Sequence, residues 1–163
     1  MESTVGWANF LVAAAGAAAA LVGLVFVALS INLARILELP GVAGRAAETI
    51  LLLASALAGS MLLLIPGLTS SQYGYLLVML WLPTWGMPTA IQVQAMRRRQ
   101  YYRFKHAIVR FLLHHAATLP LLLAGLSLQG YVAGGLLWFA VALLFSLIVA
   151  LFNAWVLLVE ILR

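Results

Sequence analysis

Seven side chains in the second half of the chain have the types and spacing to hold a ligand: Trp81, Thr84, Trp85, Gln92, Gln94, His114 and His115. Trp81, Thr84 and Trp85 recur at three- and four-residue steps, so on a helix they share one side. They fall in the stretch Trp81-Leu82-Pro83-Thr84-Trp85-Gly86-Met87-Pro88. Each proline there removes a backbone donor. A helix broken inside a bilayer is tolerated only where it is packed in protein or borders a wet cavity, and transporters place substrate sites at such breaks. The plainer reading is that prolines in membrane helices only kink them. His114 and His115, close to Thr118, are ligands or proton carriers if they lie within the membrane, and interfacial residues if they lie near Arg110 at its edge. A haem gripped by one histidine from each of two subunits would use such residues, but no attachment motif accompanies them and we expect no cofactor.

A second constellation is ionic. Asn32, Arg35 and Glu38 lie three apart, neighbours along one side of a helix, and Arg45 and Glu48 repeat the spacing beyond Leu39-Pro40-Gly41. Two Arg-Glu pairs facing each other across that hairpin would make a compact ion-pair cluster. It reads first as a structural staple, and otherwise as a vestibule at the inner mouth of a pore.

Signals for enzyme chemistry are negative. The chain has no Gly-x-Ser-x-Gly elbow, no His-Glu-x-x-His and no phosphate-cradling loop. Its four acidic residues, Glu2, Glu38, Glu48 and Glu160, are too few and too scattered for metal-dependent lipid chemistry, and it has no cysteine. Catalysis and a metal site are not expected.

The elements that would position these residues are membrane helices. With 66% hydrophobic and 8% charged residues, the chain departs from a soluble domain, where about a quarter of residues are charged. The net charge of +5 sits between apolar runs, so its implied partner is the anionic headgroup layer rather than nucleic acid. Residues 3–34, 49–96 and 111–159 carry no Asp, Glu, Lys or Arg. The first run would form a helix about 48 Å long against a hydrocarbon core of about 30 Å, so it must tilt or project. Each of the other two is long enough for two crossings and holds a turn, at Pro66-Gly67 and at Gln129-Gly130. The expected fold is an all-α transmembrane bundle in one domain, 1–163, with five spans near 5–37, 46–66, 73–96, 108–128 and 131–162. A four-span alternative lays the segment around Arg110, His114, His115 and Pro120 along the interface. Five crossings gather all nine basic residues on one side. By the positive-inside rule that side is cytoplasmic, which puts the amino terminus outside and the carboxyl terminus inside. The amino terminus, with Glu2 ahead of a very long apolar run, reads as retained rather than as a signal peptide. Arg97, Arg98, Arg99, Arg103, Lys105 and Arg110 then face anionic lipid.

The first span carries a seam. Asn9, Gly16, Gly23 and Ser30 recur every seven residues, and Ala13, Ala20, Val27 and Ala34 lie four beyond each. In lipid a small-residue face allows close backbone approach and drives association by packing. It serves either packing within the chain or a homo-oligomer with this span at or near its central axis. The string LVGLVFVALSINLARIL (Leu21–Leu37), followed by Pro40-Gly41 and Arg45-Ala46-Ala47, resembles the start of a group of small bacterial membrane proteins of unassigned function. That resemblance implies a bacterial inner membrane. Two functions are consistent with these features: a homo-oligomeric channel or transport protein, or a non-conducting scaffold or regulatory subunit that binds another membrane protein.

Overall fold

The computed structural model describes residues 4–39, 41–97 and 104–162, with side chains over 6–39, 41–97 and 107–159. A 3-10 turn, Thr4–Trp7, leads into α1 (Ala8–Ile31), α2 (Leu33–Glu38), α3 (Val42–Leu63), α4 (Ser70–Arg97), α5 (Phe104–Leu128) and α6 (Leu137–Leu162). No strand occurs among the described residues. All of the helices except α2 are long and apolar enough to cross a membrane, which is the five-span bundle the charge-free runs require.

The element boundaries have local causes. Asn32 leaves the helical basin (φ −104°, ψ 14°) and its side-chain amide donates to the Ala28 carbonyl at 2.8 Å, so the first span divides into α1 and α2. Gly41, at φ 82°, reverses the chain at once. As a result α3 begins at residue 42, four residues earlier than expected, and Arg45 and Glu48 lie inside it. At the start of α4, the Thr69 N–H donates to Gln72 Oε1 at 2.8 Å and the Gln72 N–H donates to Thr69 Oγ1 at 3.3 Å. This reciprocal capping box satisfies two donors that a helix start otherwise orphans. The last span begins at residue 137 rather than 131 because Gly130, Gly134 and Gly135 all take positive φ.

Of the two readings of Pro83 and Pro88, the broken helix does not occur: both lie inside a continuous α4, as the plainer reading has it. A proline removes one ladder bond, and the neighbouring turns of α4 keep theirs. The Thr84 hydroxyl, one turn before Pro88, donates to the Leu80 carbonyl at 2.8 Å.

Short turns make consecutive spans antiparallel. Arg35, Arg45, Arg97 and the start of α5 therefore share one end of the bundle, here termed the basic end, and the turns at Gly67 and Gly130 share the other. α3 is central, packing on α1, α4 and α6, while α5 lies between α4 and α6. α1 is peripheral and packs chiefly on α3. Near the far end, a Cβ on Gly74 would stand 2.6 Å from the Gly125 carbonyl oxygen, and one on Gly125 would stand 2.9 Å from the Gly74 carbonyl oxygen. Only glycine lets the α4 and α5 backbones touch there. Close backbone approach of this kind is what holds helices together where lipid removes the hydrophobic drive.

Candidate functional site

Glu48 stands six residues into α3 and Arg110 six residues into α5, each about 9 Å from its helix start at the basic end. Antiparallel wrapping brings them to the same depth. Arg110 Nε donates to Glu48 Oε2 at 2.7 Å, with Glu48 1% and Arg110 6% exposed. One turn deeper on α5, His114 is wholly buried, and its Nδ1 faces Glu48 Oε1 at 3.4 Å. At that length the contact is an electrostatic approach rather than a good hydrogen bond, and neither atom has a hydrogen-bonding partner. The opposite ring nitrogen, Nε2, meets the Trp85 carbonyl oxygen of α4, also at 3.4 Å. That carbonyl is next in line to the one that Pro88 leaves without its helical donor.

Further polar groups stand at this level. Gly44 of α3 backs onto Ile91 of α4, where an added Cβ would lie 2.8 Å from Ile91 Cγ2. Glu48, one turn along α3, is thereby level with Met87 and Pro88 and within a turn of Thr89, while Gln92 is level with Gly44. Ser146 of α6 donates to the Ala117 carbonyl of α5 at 3.5 Å, and seven residues from each toward the basic end come Asn153 and Arg110. Gln92 is 1% exposed and Asn153 3%. Both amide atoms of Gln92, the Asn153 Nδ2, the Thr89 hydroxyl and the indole nitrogens of Trp81 and Trp85 are buried without a protein partner among the described residues. Each such group costs about 1–3 kcal/mol unless water or a ligand meets it. By contrast, the buried hydroxyls of Ser55, Ser60 and Thr118 are satisfied by carbonyls of their own helices, as Thr84 is. Among the described residues, the unsatisfied groups outside the triad therefore all lie on α4 and α6.

Comparison with known proteins finds no family model, no curated protein and no solved structure that matches this chain. The site rests on its geometry.

Of the ligand residues expected from sequence, the structure brings Trp81, Trp85, His114 and His115 together at the α4–α5 face. Trp81 stacks on Trp85 with ring centroids 5.0 Å apart, Trp85 meets His115 edge-on at 6.2 Å, and the two histidine rings lie 5.6 Å apart, while Thr84 and Gln92 are buried on α4. His115 Nδ1–H donates to the Phe111 carbonyl at 2.8 Å, so that nitrogen is spent within its own helix. Gln94 is exposed and stands apart.

The ionic constellation separates. Arg35 and Glu38 form an exposed i,i+3 pair at 3.4 Å, Asn32 bonds back to its own helix, and Glu48 turns inward to Arg110 and His114. Arg45 contributes its carbonyl to the Thr49 hydroxyl at 2.8 Å. Arg110, expected against lipid headgroups, is instead buried, because a carboxylate at its own depth holds it inside. Arg97 is exposed at the end of α4, whereas Arg98, Arg99, Arg103 and the side chain of Lys105 lie outside the described residues.

The seam on the first span faces outward. Asn9, Ala13, Gly16, Ala20, Gly23, Val27, Ser30 and Ala34 are all exposed, while Leu11, Ala14, Ala18 and Val25 on the other side are buried against the bundle. A Cβ added at Gly16 or Gly23 would meet nothing within 4 Å. Packing within the chain therefore does not use the seam. Beside it, α1, α2 and α3 border an open, almost wholly apolar groove of about 380 Å³, lined by residues such as Phe26, Leu33 and Ile50, with no charged group in its wall.

Proposed function

We propose that this chain is a homo-oligomeric membrane transport protein of a bacterial inner membrane, with its carboxyl terminus cytoplasmic. Its protomers associate through the small-residue face of α1, which stands at or near the oligomer axis, and its polar path runs through the layer shared by α3, α4, α5 and α6. The observation that carries this reading is the triad of Glu48, Arg110 and His114, buried inside segments that read as membrane spans. A charge within a bilayer costs about 3 kcal/mol by insertion measurements and about 10 or more by simulation. Chains keep such residues chiefly where ions, protons or polar substrates are handled. The partnerless groups of Gln92, Thr89 and Asn153 give that path further polar lining.

A scaffold that binds another membrane protein is the second reading, and the outward seam of α1 favours it. Reconstitution of the full chain into liposomes separates the two. Transport predicts flux of protons, potassium or chloride that Gln92→Leu abolishes while assembly persists, with oligomers that Gly23→Leu disperses. An increase in flux on Val27→Ser would relocate the path to the α1 axis. No flux of any of these ions, with assembly intact, supports the scaffold.

A further inference from the structure

We infer that His114 is a proton-binding site of the polar layer and that the species coupled to, or carried by, this protein is the proton. This deepens the transport reading and rests on it for the role of the proton, though not for its binding.

The geometry carries it. A neutral imidazole has one N–H and one lone pair. His114 presents Nδ1 to a carboxylate oxygen of Glu48 and Nε2 to the carbonyl oxygen of Trp85, both at 3.4 Å. Both neighbours are acceptors. In either neutral tautomer, one nitrogen lone pair opposes an oxygen lone pair, and only the imidazolium offers a donor to each. The ring is wholly buried, so bulk solvent does not meet the mismatched position. The two long contacts fit a ring waiting between acceptors, with slack that a second N–H would take up.

The charges around the ring allow the step to be reversible. On α3 the facing group is Glu48, and on α5 itself Arg110 and His115 are the neighbouring titratable or charged groups. Among the described residues, α4 offers the Trp85 carbonyl, Thr89 and Gln92, and α6 offers Ser146 and Asn153, none of which titrates. With Glu48 and Arg110 paired, the neutral-ring state has no net charge. Transfer of a proton from hydronium to the vacant ring nitrogen releases water and leaves the triad with one positive charge. No oxidant or other reactant is needed. The single excess charge can be discharged by returning the proton or balanced by an accompanying anion, so the site can load and unload.

The test is a titration of the full chain in lipid nanodiscs by nitrogen-15 NMR of the histidine rings, assigned with His114→Gln and His115→Gln. Expected is a His114 ring that carries two N–H groups at the acid end of the titration and one at the alkaline end. Glu48→Gln should change its titration, whereas His115→Gln should leave it in place. A His114 ring that stays in one neutral tautomer throughout the titration overturns the inference. Proton flux into liposomes is read separately with an entrapped pH dye. A ring that titrates in a protein without flux keeps the proton site and refutes transport, and flux unchanged in His114→Gln overturns the coupling role.

Discussion

Glu48→Gln should be among the most damaging single substitutions of a polar side chain in this chain. The change is nearly isosteric, so it removes the charge and one strong acceptor with little loss of packing. What remains is a guanidinium, 6% exposed, whose 2.7 Å partner has become an amide. Breaking one side of a buried pair costs about 3–5 kcal/mol because the surviving charge stays desolvated. At 1.4 kcal/mol per tenfold, that is roughly a hundred- to several-thousandfold in the folded-to-unfolded ratio. Arg110→Met should cost less, since Glu48 keeps His114 as a cationic or hydrogen-bonding neighbour. The combined Glu48→Leu and Arg110→Met variant should recover most of the loss, because an apolar pair in the same space is about neutral or better than an ion pair. Steric-trap or detergent-driven unfolding of the full chain in bicelles would measure the cycle. Single variants that each lose less than about 1 kcal/mol, with effects that add in the double variant, would mean that the pair is not buried as described.

Two further outcomes follow from the same structure. Gly74→Ala and Gly125→Ala should each lower bundle stability by about 1–3 kcal/mol, as overpacking does, because the new Cβ stands under 3 Å from the facing carbonyl oxygen. Gly16→Ala, with nothing near it, should leave the protomer unchanged in the same unfolding assay. In live cells, a reporter fused after Arg163 should read cytoplasmic and one fused before Glu2 external, and an external carboxyl terminus would refute the proposed orientation.

The spans were legible because lipid makes a single demand on them: about 20 apolar residues per crossing, with charge confined to the ends. The lengths of the charge-free runs, and the glycines and prolines that divide them, carry that information locally. The aromatic and histidine face of α4 and α5 was partly legible for a similar reason, since helical spacing alone aligns Trp81 with Trp85 and His114 with Thr118. What the local pattern could not supply was the choice of partner. Arg45 is three residues from Glu48, the spacing of a helical pair, yet Glu48 bonds Arg110, 62 residues away. A short sequence separation favours a contact by proximity, but a carboxylate inside a bundle takes the partner that is also removed from water. A signal for this was present in the chain. In an antiparallel five-span scheme, the second and fourth spans, α3 and α5, both start from the basic end, and Glu48 and Arg110 each lie six residues past the helix start that the structure gives. Equal depth and opposite charge mark the pair. The starts themselves, the first set by the left-handed turn at Gly41, were the missing quantity, and a shift of four residues there was enough to read an interior carboxylate as a surface one.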